Sequence, residues 1–322
     1  AGDKLQWSVA DNSSVVIAPS AISMRLQSGE VLGDKVQISS SKNEKVNTTI
    51  KAIHYIKDII PDIYNQLTLN CKNNYGVVFR AYNDGVAYRF FTKRKDEIVV
   101  INEEANFNFD KDYKCFIPFV RDFRGKEQYV QSFEALYTEK KISEFNKDTI
   151  GCLPALVDMD NKKAVLLEAD LEDYPGMFLQ INGATENSFK GVFAPYPTEE
   201  EQGGYKMLNT MPTKRAGFIA KVNGTRNFPW RAVIISNNDT SLLNNDMVQK
   251  LASPSSIADP SWIKPGKVAW DWWNDWNITH VDFRAGVNTE TYKYYIDFAA
   301  ANKLEYIILD EGWSNDLDLT DV

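Results

Sequence analysis

Two short apolar runs that each end at a carboxylate constrain the fold of this chain more than any other feature. Residues 268–270 lead into Asp271, and residues 306–309 lead into Asp310, with tryptophans close behind both acids. The segment between them, residues 289–302, has helical periodicity. A strand, a helix and a second strand in this order predict a β-α-β unit with parallel strands. Both carboxylates would then lie at the carboxyl ends of their strands, where α/β proteins bind ligands.

The helix of this unit has a predicted start and a predicted buried face. Thr289 is the expected N-cap, and Glu290 suits the positive end of the helix dipole. Four residues at helical spacing would pack on the two strands: Tyr292, Tyr295, Ile296 and Ala299. Two parallel strands and one helix cannot bury both of their faces. We therefore expect residues 266–322 to be the beginning of a (β/α)8 barrel, which needs about 250 residues, and the chain to be truncated.

The sequence before residue 252 predicts a large antiparallel β-sandwich. Many short alternating runs are separated by Asn, Asp and Gly, and the runs 76–82 and 86–91 flank Asn83-Asp84-Gly85, which predicts a hairpin. Further strands are expected at 15–17, 35–38, 66–69, 97–101, 115–120, 155–159, 163–169, 178–181, 218–222 and 231–236. A weak helical period covers 129–142, and a short helix is expected at 244–251. The fold class is therefore α+β and multidomain, with a sandwich at 1–252, a proline-containing linker at 253–265 and the barrel start at 266–322.

Composition excludes several classes of function. The net charge is -8 and the pI is about 5.0, which argues against a nucleic-acid partner. The chain has three widely spaced cysteines and two histidines, too few for a disulfide framework, a zinc site or a Ser-His-Asp triad. No apolar run approaches the length of a membrane span. Because the chain begins with Ala1 rather than Met, a removed leader is one expectation.

The strand-end acids and the tryptophans are the predicted substrate contacts. Asp271 and Asp310 could accept hydrogen bonds from sugar hydroxyls or do acid/base work; the alternative is that they cap strand ends or pair with a loop cation. Glu311 could face the same site or a loop. Trp273 and Trp313, with Trp272 and Trp276, could offer flat faces to sugar C–H groups, because indole is apolar on its face and donates at its edge. The alternative for these tryptophans is packing between strands and helix.

Two acidic segments lie in the predicted sandwich. Residues 167–174 carry four carboxylates at the end of an apolar run, a composition that suits calcium, which takes about six to eight oxygen ligands. The spacing is not that of an EF-hand, so the residues alone favour a solvated turn. Residues 198–201 are interpreted as a solvated loop.

Five segments resemble glycoside hydrolase family 97: VAWDWWN at 268–274, residues 281–298, IILDEGW at 307–313, YNDGVAYRF at 82–90 and EADL at 168–171. The resemblance implies a bacterial α-glycosidase with an N-terminal β-sandwich, a catalytic (β/α)8 barrel and a small C-terminal β domain. It also implies a calcium ion near the active site and export to the periplasm. Glu168 matches the glutamate that the N-terminal domain contributes to the calcium site, and Asp310 matches an aspartate that holds sugar hydroxyls.

The family contains retaining α-galactosidases and inverting α-glucosidases, and the 268–274 segment resembles the galactosidase branch. This implies removal of terminal α-linked galactose by double displacement. The nucleophile and the acid/base would lie beyond Val322, so no catalytic residue is assigned in this chain. The alternatives are an inverting α-glucosidase acting on maltodextrins and a carbohydrate-binding protein without catalysis. The partner is in each case an α-linked oligosaccharide.

Overall fold

The computed structural model describes residues 3–120, 127–130, 135–315, 317–318 and 320–321. The chain forms two compact units. The first consists of Ala1–Glu199 and Thr213–Pro254, and the second of Glu200–Pro212 and Ser255–Val322. The boundaries at 252 and 265 stay predictions.

The strands before residue 254 follow the turn punctuation of the sequence. They are β1 (Gln6–Asp11), β2 (Ser14–Leu26), β3 (Val31–Leu32), β4 (Ile38–Lys51), β5 (Ile59–Cys71), β6 (Tyr75–Tyr82), β7 (Gly85–Lys93), β8 (Ile98–Asn108), β9 (Lys114–Pro118), β10 (Tyr137–Lys141), β11 (Ala155–Met159), β12 (Lys162–Ala169), β13 (Met177–Ile181), β14 (Ser188–Phe193), β15 (Pro197–Gly203), β16 (Asn209–Arg215), β17 (Ala220–Val222), β18 (Thr225–Asn227) and β19 (Trp230–Ser236). Short 3-10 helices occur at Gln128–Val130, Ile142–Glu144, Tyr205–Met207 and Thr240–Asn244, and the α-helix α1 is Met247–Leu251. β15 and β16 form a hairpin whose tip belongs to the second unit.

Most of these strands form two antiparallel sheets, which make a β-sandwich. Within the described residues, one sheet has the order β1-β2-β8-β14-β13, with β3 on β2 and β17 on β8. The other has the order β10-β9-β11-β12-β19-β7-β6-β5-β4, with β18 on β7. The sandwich therefore confirms the predicted antiparallel, sheet-rich architecture.

Alternation along the strands separates the sandwich core from the outer face of the larger sheet. Phe107 of β8 and Phe90 of β7 are buried in the core between the sheets. On β19, Arg231 and Val233 are fully buried on the core side, whereas Trp230 belongs to a second cluster with α1. This period of two explains why neighbouring residues of one strand reach different environments.

The predicted hairpin is confirmed, and three other predictions for the sequence before residue 252 are wrong. Tyr82 pairs with Gly85, so β6 and β7 form the predicted hairpin. Residues 35–37 are not strand: they follow the isolated bridge at Asp34, and β4 begins only at Ile38. Residues 198–201 are exposed, as expected of a solvated segment, but they form part of β15 and not a loop. The described part of 129–142 contains a 3-10 turn and β10 instead of the weak helix; 131–134 lie outside the described residues.

The second unit contains the β-α-β arrangement. β20 (Val268–Trp270) and β21 (Tyr306–Ile308) pair in parallel, a 3-10 turn covers Asp271–Asn274, and α2 is Thr289–Ala301. The predicted N-cap Thr289 is wrong by one residue, since the side chain of Asn288 accepts the Thr291 N–H. On the predicted packing face Ala299 is buried, but Ile296 is 50% exposed.

No helix in the described ranges is both long and apolar enough to cross a membrane.

Candidate functional site

Among the described residues of the second unit, Asp271 is the most buried acid. Its side chain follows β20 directly, and the residue is 1% exposed. Both carboxylate oxygens accept the backbone N–H of Asp310, at 3.2 and 3.3 Å. Burial and the negative charge of Asp271 raise the pKa of Tyr292 on α2 to about 12. Asp271 therefore joins the ends of the two parallel strands, which is the strand-end role considered as its alternative; substrate contact by Asp271 stays a prediction.

Asp310 is held in a fixed orientation at the end of β21. Trp270 donates its indole N–H to Asp310 Oδ2 at 2.7 Å, and the Glu311 N–H is 2.7 Å from Oδ1. The side chain remains half-buried. Each carboxylate oxygen accepts more than one hydrogen bond, so both retain capacity for a hydroxyl donor. Asp310 is thus the more accessible of the two strand-end acids, and its role in substrate binding stays a prediction.

Glu311 points to the tip of the β15–β16 hairpin. The hydroxyl of Tyr205 lies 3.4 Å from Glu311 Oε1, and Lys206 Nζ lies 3.4 Å from Oε2. The side chains of Lys206 and Glu311 are each 39% exposed. The three residues form an open polar group next to Asp310 in sequence and at the same strand end.

The tryptophans divide between exposed and packed positions. Trp273 is 84% exposed, and Trp313 is half-buried. The rings of Trp272 and Trp276 contact each other with centroids 4.7 Å apart. Trp272 is 47% exposed, so this contact is not packing between the strands and the helix. The stacking role of Trp273 and Trp313 stays a prediction.

A cleft of about 700 Å³ lies beside β20 and α2 in the second unit. Of the five predicted substrate contacts, only Trp273 lines it; Asn274, Tyr294 and Phe298 are among the others. The cleft contains no carboxylate among its lining residues. It therefore does not coincide with the acids at the strand ends, and we place the candidate site at the acids, because they supply fixed hydrogen-bond acceptors at the carboxyl ends of parallel strands.

Glu168 ends β12 on the core side of the sandwich and belongs to a buried ionic network. Arg231 donates from Nη1 to Glu168 Oε2 at 2.6 Å and forms a two-point pair with Glu103 at 2.7 and 2.8 Å. The Met177 N–H also donates to Glu168, at 3.0 and 3.1 Å. Burial raises the pKa of Glu168, and Arg231 counteracts part of that rise. The Glu168 side chain is 16% exposed, so it is less completely buried than Arg231 and Glu103.

The other acids near Glu168 do not converge on it. Asp170 accepts from Arg89 Nη1 at 3.0 Å and from the N–H and hydroxyl of Ser253. Glu172 and Asp173 present their backbone carbonyls to Arg226. Within the described ranges, no group of three or more His, Cys, Asp or Glu side chains could hold a metal ion. Glu168 alone could supply one ligand from this segment.

Sequence reasoning missed three residues that hold or flank the candidate site. Trp270 belongs to the aromatic run 270–276, and the sequence gives no sign that its indole N–H, unlike those of its neighbours, binds Asp310. Tyr205 and Lys206 carry no local pattern, and they are 106 and 105 positions from Glu311 in sequence. They lie near Glu311 because the hairpin tip, residues 200–212, is part of the second unit.

Two family sequence models match the chain. The model described as Glycosyl-hydrolase 97 N-terminal matches residues 1–254, and the model described as Glycoside hydrolase 97 matches residues 272–322. The first covers the sandwich and the hairpin, and the second covers the acids and tryptophans that follow β20 and β21.

Curated relatives carry a common description. The chain is 42% identical over 320 residues to a "Retaining alpha-galactosidase" of Bacteroides thetaiotaomicron, covering 98% of this chain and 48% of that protein. It is 26% identical over 251 residues to a "Probable retaining alpha-galactosidase" of Streptomyces bingchenggensis, covering 77% of this chain and 33% of that protein. The chain thus spans half or less of the length of these relatives.

Solved structures share the fold. A family 97 enzyme from Pseudoalteromonas sp. strain K8 in complex with acarbose superposes with a TM-score of 0.77 at 22% identity, covering 98% of this chain and 46% of that one. A β-arabinopyranosidase superposes with a TM-score of 0.77 at 20% identity, covering 97% and 48%. Taken with the match over residues 1–254, these findings confirm the resemblance read from the sequence: the chain belongs to glycoside hydrolase family 97.

Proposed function

We propose that this chain is part of an exo-acting retaining α-galactosidase that removes terminal α-linked galactose. The observation that carries the proposal is the 42% identity over 320 residues to a retaining α-galactosidase. Since the chain covers 48% of that relative, the activity is proposed for the full-length enzyme that contains this sequence. The residues of the chain itself are proposed to bind the sugar, and the nucleophile and acid/base are expected beyond Val322.

The second unit is proposed to be the start of a (β/α)8 barrel. Tyr306 and Ile308 of β21 are 45% and 47% exposed, and Ile296 and Phe298 of α2 are 50% and 48% exposed. Apolar side chains are thus uncovered on a strand and on the helix. Further strands and helices of a barrel would bury them, because a barrel packs its interior and covers its strands with helices.

Sugar binding is proposed to centre on Asp310. Its carboxylate is oriented by the indole N–H of Trp270 and can accept hydrogen bonds from hydroxyl groups. The Asp271 carboxylate accepts the backbone N–H of Asp310 and so keeps Asp310 in register with β20. Glu311 supplies a second acceptor, and Trp273 and Trp313 are the proposed stacking faces. A retaining mechanism requires a nucleophile and an acid/base about 5 Å apart, beside the sugar held in this way.

A calcium ion is proposed as the cofactor, with Glu168 as one of its ligands. Two carboxylates, Glu103 and Glu168, share one guanidinium, that of Arg231, so the network carries one excess negative charge. This charge and the incomplete burial of the Glu168 side chain suit a hard cation, which needs about six to eight oxygens. The remaining ligands would have to come from outside this network. When bound, calcium would bind sugar hydroxyls and favour acid catalysis electrostatically.

The Glu168 proposal is tested by calcium binding in the full-length enzyme. Glu168→Gln keeps the size of the side chain and removes its charge, so calcium affinity measured by calorimetry should fall. Glu172→Gln is the matched control in the same acidic run, where the backbone carbonyl and not the carboxylate contacts Arg226. Equal calcium affinity in both variants would show that Glu168 is not a ligand.

The proposed location is the bacterial periplasm. Its test is cell fractionation of the native host, with the enzyme in the osmotic-shock fraction as the expected result.

The central experiment is proton NMR of the anomer released from an α-galactoside by the full-length enzyme, recorded before mutarotation. Initial α-galactose is the expected result and means retention. Initial β-galactose would refute the double displacement. Hydrolysis of α-glucosides alone would assign the enzyme to the inverting α-glucosidase alternative. Binding without turnover of either substrate would favour the non-catalytic alternative.

A further inference from the structure

We infer that Tyr205 and Lys206, at the tip of the β15–β16 hairpin, form one wall of the sugar site and bind a hydroxyl of the terminal sugar together with Glu311. The inference rests on the proposed glycosidase function and adds two substrate-binding residues to it. Both come from the sequence matched by the N-terminal family model, whereas Glu311 lies in the sequence matched by the second model.

The position of the hairpin tip is the first support. Residues 200–212 are part of the second unit, as are Asp310 and Glu311. Tyr205 and Lys206 both reach Glu311, one on each carboxylate oxygen. The tip therefore meets the strand end at the residue that follows the oriented acid Asp310.

The backbone of the tip is the second support. Gly204 has φ +77°, and two consecutive non-glycine residues, Lys206 and Met207, have φ +49° and +61°. Residues with side chains rarely adopt this left-handed region, and such strain concentrates at functional sites. This turn precedes β16 and carries the Tyr205 and Lys206 side chains that contact Glu311.

The looseness of the contacts is the third support. The Lys206–Glu311 and Tyr205–Glu311 distances are both 3.4 Å, at the outer limit of a hydrogen bond. At the base of the same hairpin, Lys214 and Glu199 are 2.7 Å apart, so both contacts of Glu311 at the tip are longer than the ion pair at the base. A hydroxyl both donates and accepts, and can therefore accept from Lys206 and donate to Glu311. The Tyr205 ring is 66% exposed and can stack on a sugar face.

The ligand chemistry follows from these groups. A cation, a carboxylate and the neighbouring Asp310 carboxylate bind adjacent hydroxyls, and an exposed phenol ring binds an apolar C–H face. The terminal pyranose of an α-linked oligosaccharide presents both. Because these contacts orient the sugar without touching the bond that breaks, their loss should raise KM more than it lowers kcat.

The test uses the full-length enzyme and a nitrophenyl α-galactoside. Lys206→Met and Tyr205→Ala should each raise KM by about tenfold or more, the effect of one lost hydrogen bond to a charged group, with kcat changed much less. Lys206→Arg keeps the charge and should recover most of the affinity. Lys214→Met removes the matched Lys–Glu pair at the base of the hairpin and should leave KM unchanged.

A second measurement uses the unmodified enzyme, so it does not depend on whether a variant folds. Acetylation of lysines is followed by mass spectrometry with and without saturating galactose. Galactose should slow acetylation of Lys206 and leave Lys214 unaffected. Unchanged KM in the tip variants, or equal acetylation of Lys206 with and without sugar in an active enzyme, would overturn the inference.

Failure of the proposed function gives a different result. If the unmodified enzyme hydrolyses only α-glucosides, the galactose assignment fails, and the same variants are measured with that substrate. A rise in KM there supports the hairpin wall, and no rise overturns it.

Discussion

Replacing Arg231 by methionine should destabilise the sandwich strongly, because it leaves two carboxylates in the core without their cation. Arg231 and Glu103 are 1% and 4% exposed, and Glu168 is 16% exposed. The guanidinium makes two hydrogen bonds to Glu103 and one to Glu168, and its Cζ atom lies 5.1 Å from the Phe193 ring centroid. Methionine fills the volume of the aliphatic part of the arginine side chain but can make none of these hydrogen bonds.

The magnitude follows from the cost of an unpaired buried charge. Removing one partner of a buried ion pair costs about 3–5 kcal/mol of folding free energy, most of it the desolvation of the remaining charge. Glu103 is the partner left in the core, so we expect about that loss in Arg231→Met. The double variant Arg231→Met/Glu103→Leu removes both charges and should recover part of it, because an apolar replacement of both partners is often neutral.

The loss should depend on pH with a definite sign. In the unmodified protein, burial raises the pKa of Glu168 and Arg231 counteracts the rise. Removing Arg231 raises that pKa further above its unfolded value of about 4.3. A group with a raised folded-state pKa stabilises the fold below its unfolded pKa, and that contribution is lost as pH rises through the folded pKa. The destabilisation by Arg231→Met should therefore be smaller near pH 4.5 than at pH 7.5.

The assay is urea unfolding of the 322-residue chain at several pH values, followed by the far-ultraviolet circular dichroism of the strands. Lys221→Met is the matched control, since it removes a lysine whose pair with Glu97 is half-exposed on both sides. A loss below about 1 kcal/mol in Arg231→Met, the range of an exposed pair, would refute the reasoning. A loss that grows on acidification would refute the assigned sign.

Three further predictions address other parts of the molecule. Gly76→Ala should lower the free energy of unfolding by about 1–3 kcal/mol in the urea assay, because its Cβ would overlap the Phe91 ring and a strand carbonyl; no change would mean that the sheet relaxes there. Burial raises the pKa of the Cys115 thiol in the core, so a thiol reagent should modify the half-buried Cys152 first, and equal rates would contradict the packing. Asp271→Ala should lower the melting temperature more than Asp310→Ala, as measured by calorimetry, because it empties a side-chain position that is 1% exposed and unpairs the Asp310 N–H at a cost of about 1–3 kcal/mol. Asp310 is only half-buried, and the Glu311 N–H that it accepts is exposed, so its loss should cost less; the opposite order would contradict the assigned roles.

The sandwich could be predicted because its strands alternate and its turns are marked by Asn, Asp and Gly. The clearest failure is β4, whose residues are polar on both faces and mostly exposed. Such a strand has no hydrophobic period to detect. It exists because thirteen of its residues pair with β5 through the backbone. As an edge strand it carries lysines, which oppose pairing with another chain.

Only those parts of the candidate site that depend on residues close together in sequence could be predicted. The two strand-end acids and the tryptophans follow from the β-α-β pattern. The partners that give each acid its role are distant in sequence: Arg231 is 63 positions from Glu168, and Tyr205 is 106 from Glu311. These contacts depend on sheet order and on the path of one hairpin, which no periodicity encodes.

Asp271 and Asp310 look equivalent in sequence, and their surroundings separate them. The Asp271 carboxylate is buried and accepts a backbone N–H, so its removal acts first on the register of β20 and β21. Asp310 accepts from a tryptophan indole and stays half-buried, so its orientation is set before any ligand arrives. A rigid acceptor binds a hydroxyl with less loss of side-chain entropy than a mobile one. One strand-end acid therefore positions the other. Trp270, the last residue of β20, completes the arrangement through its indole N–H bond to Asp310.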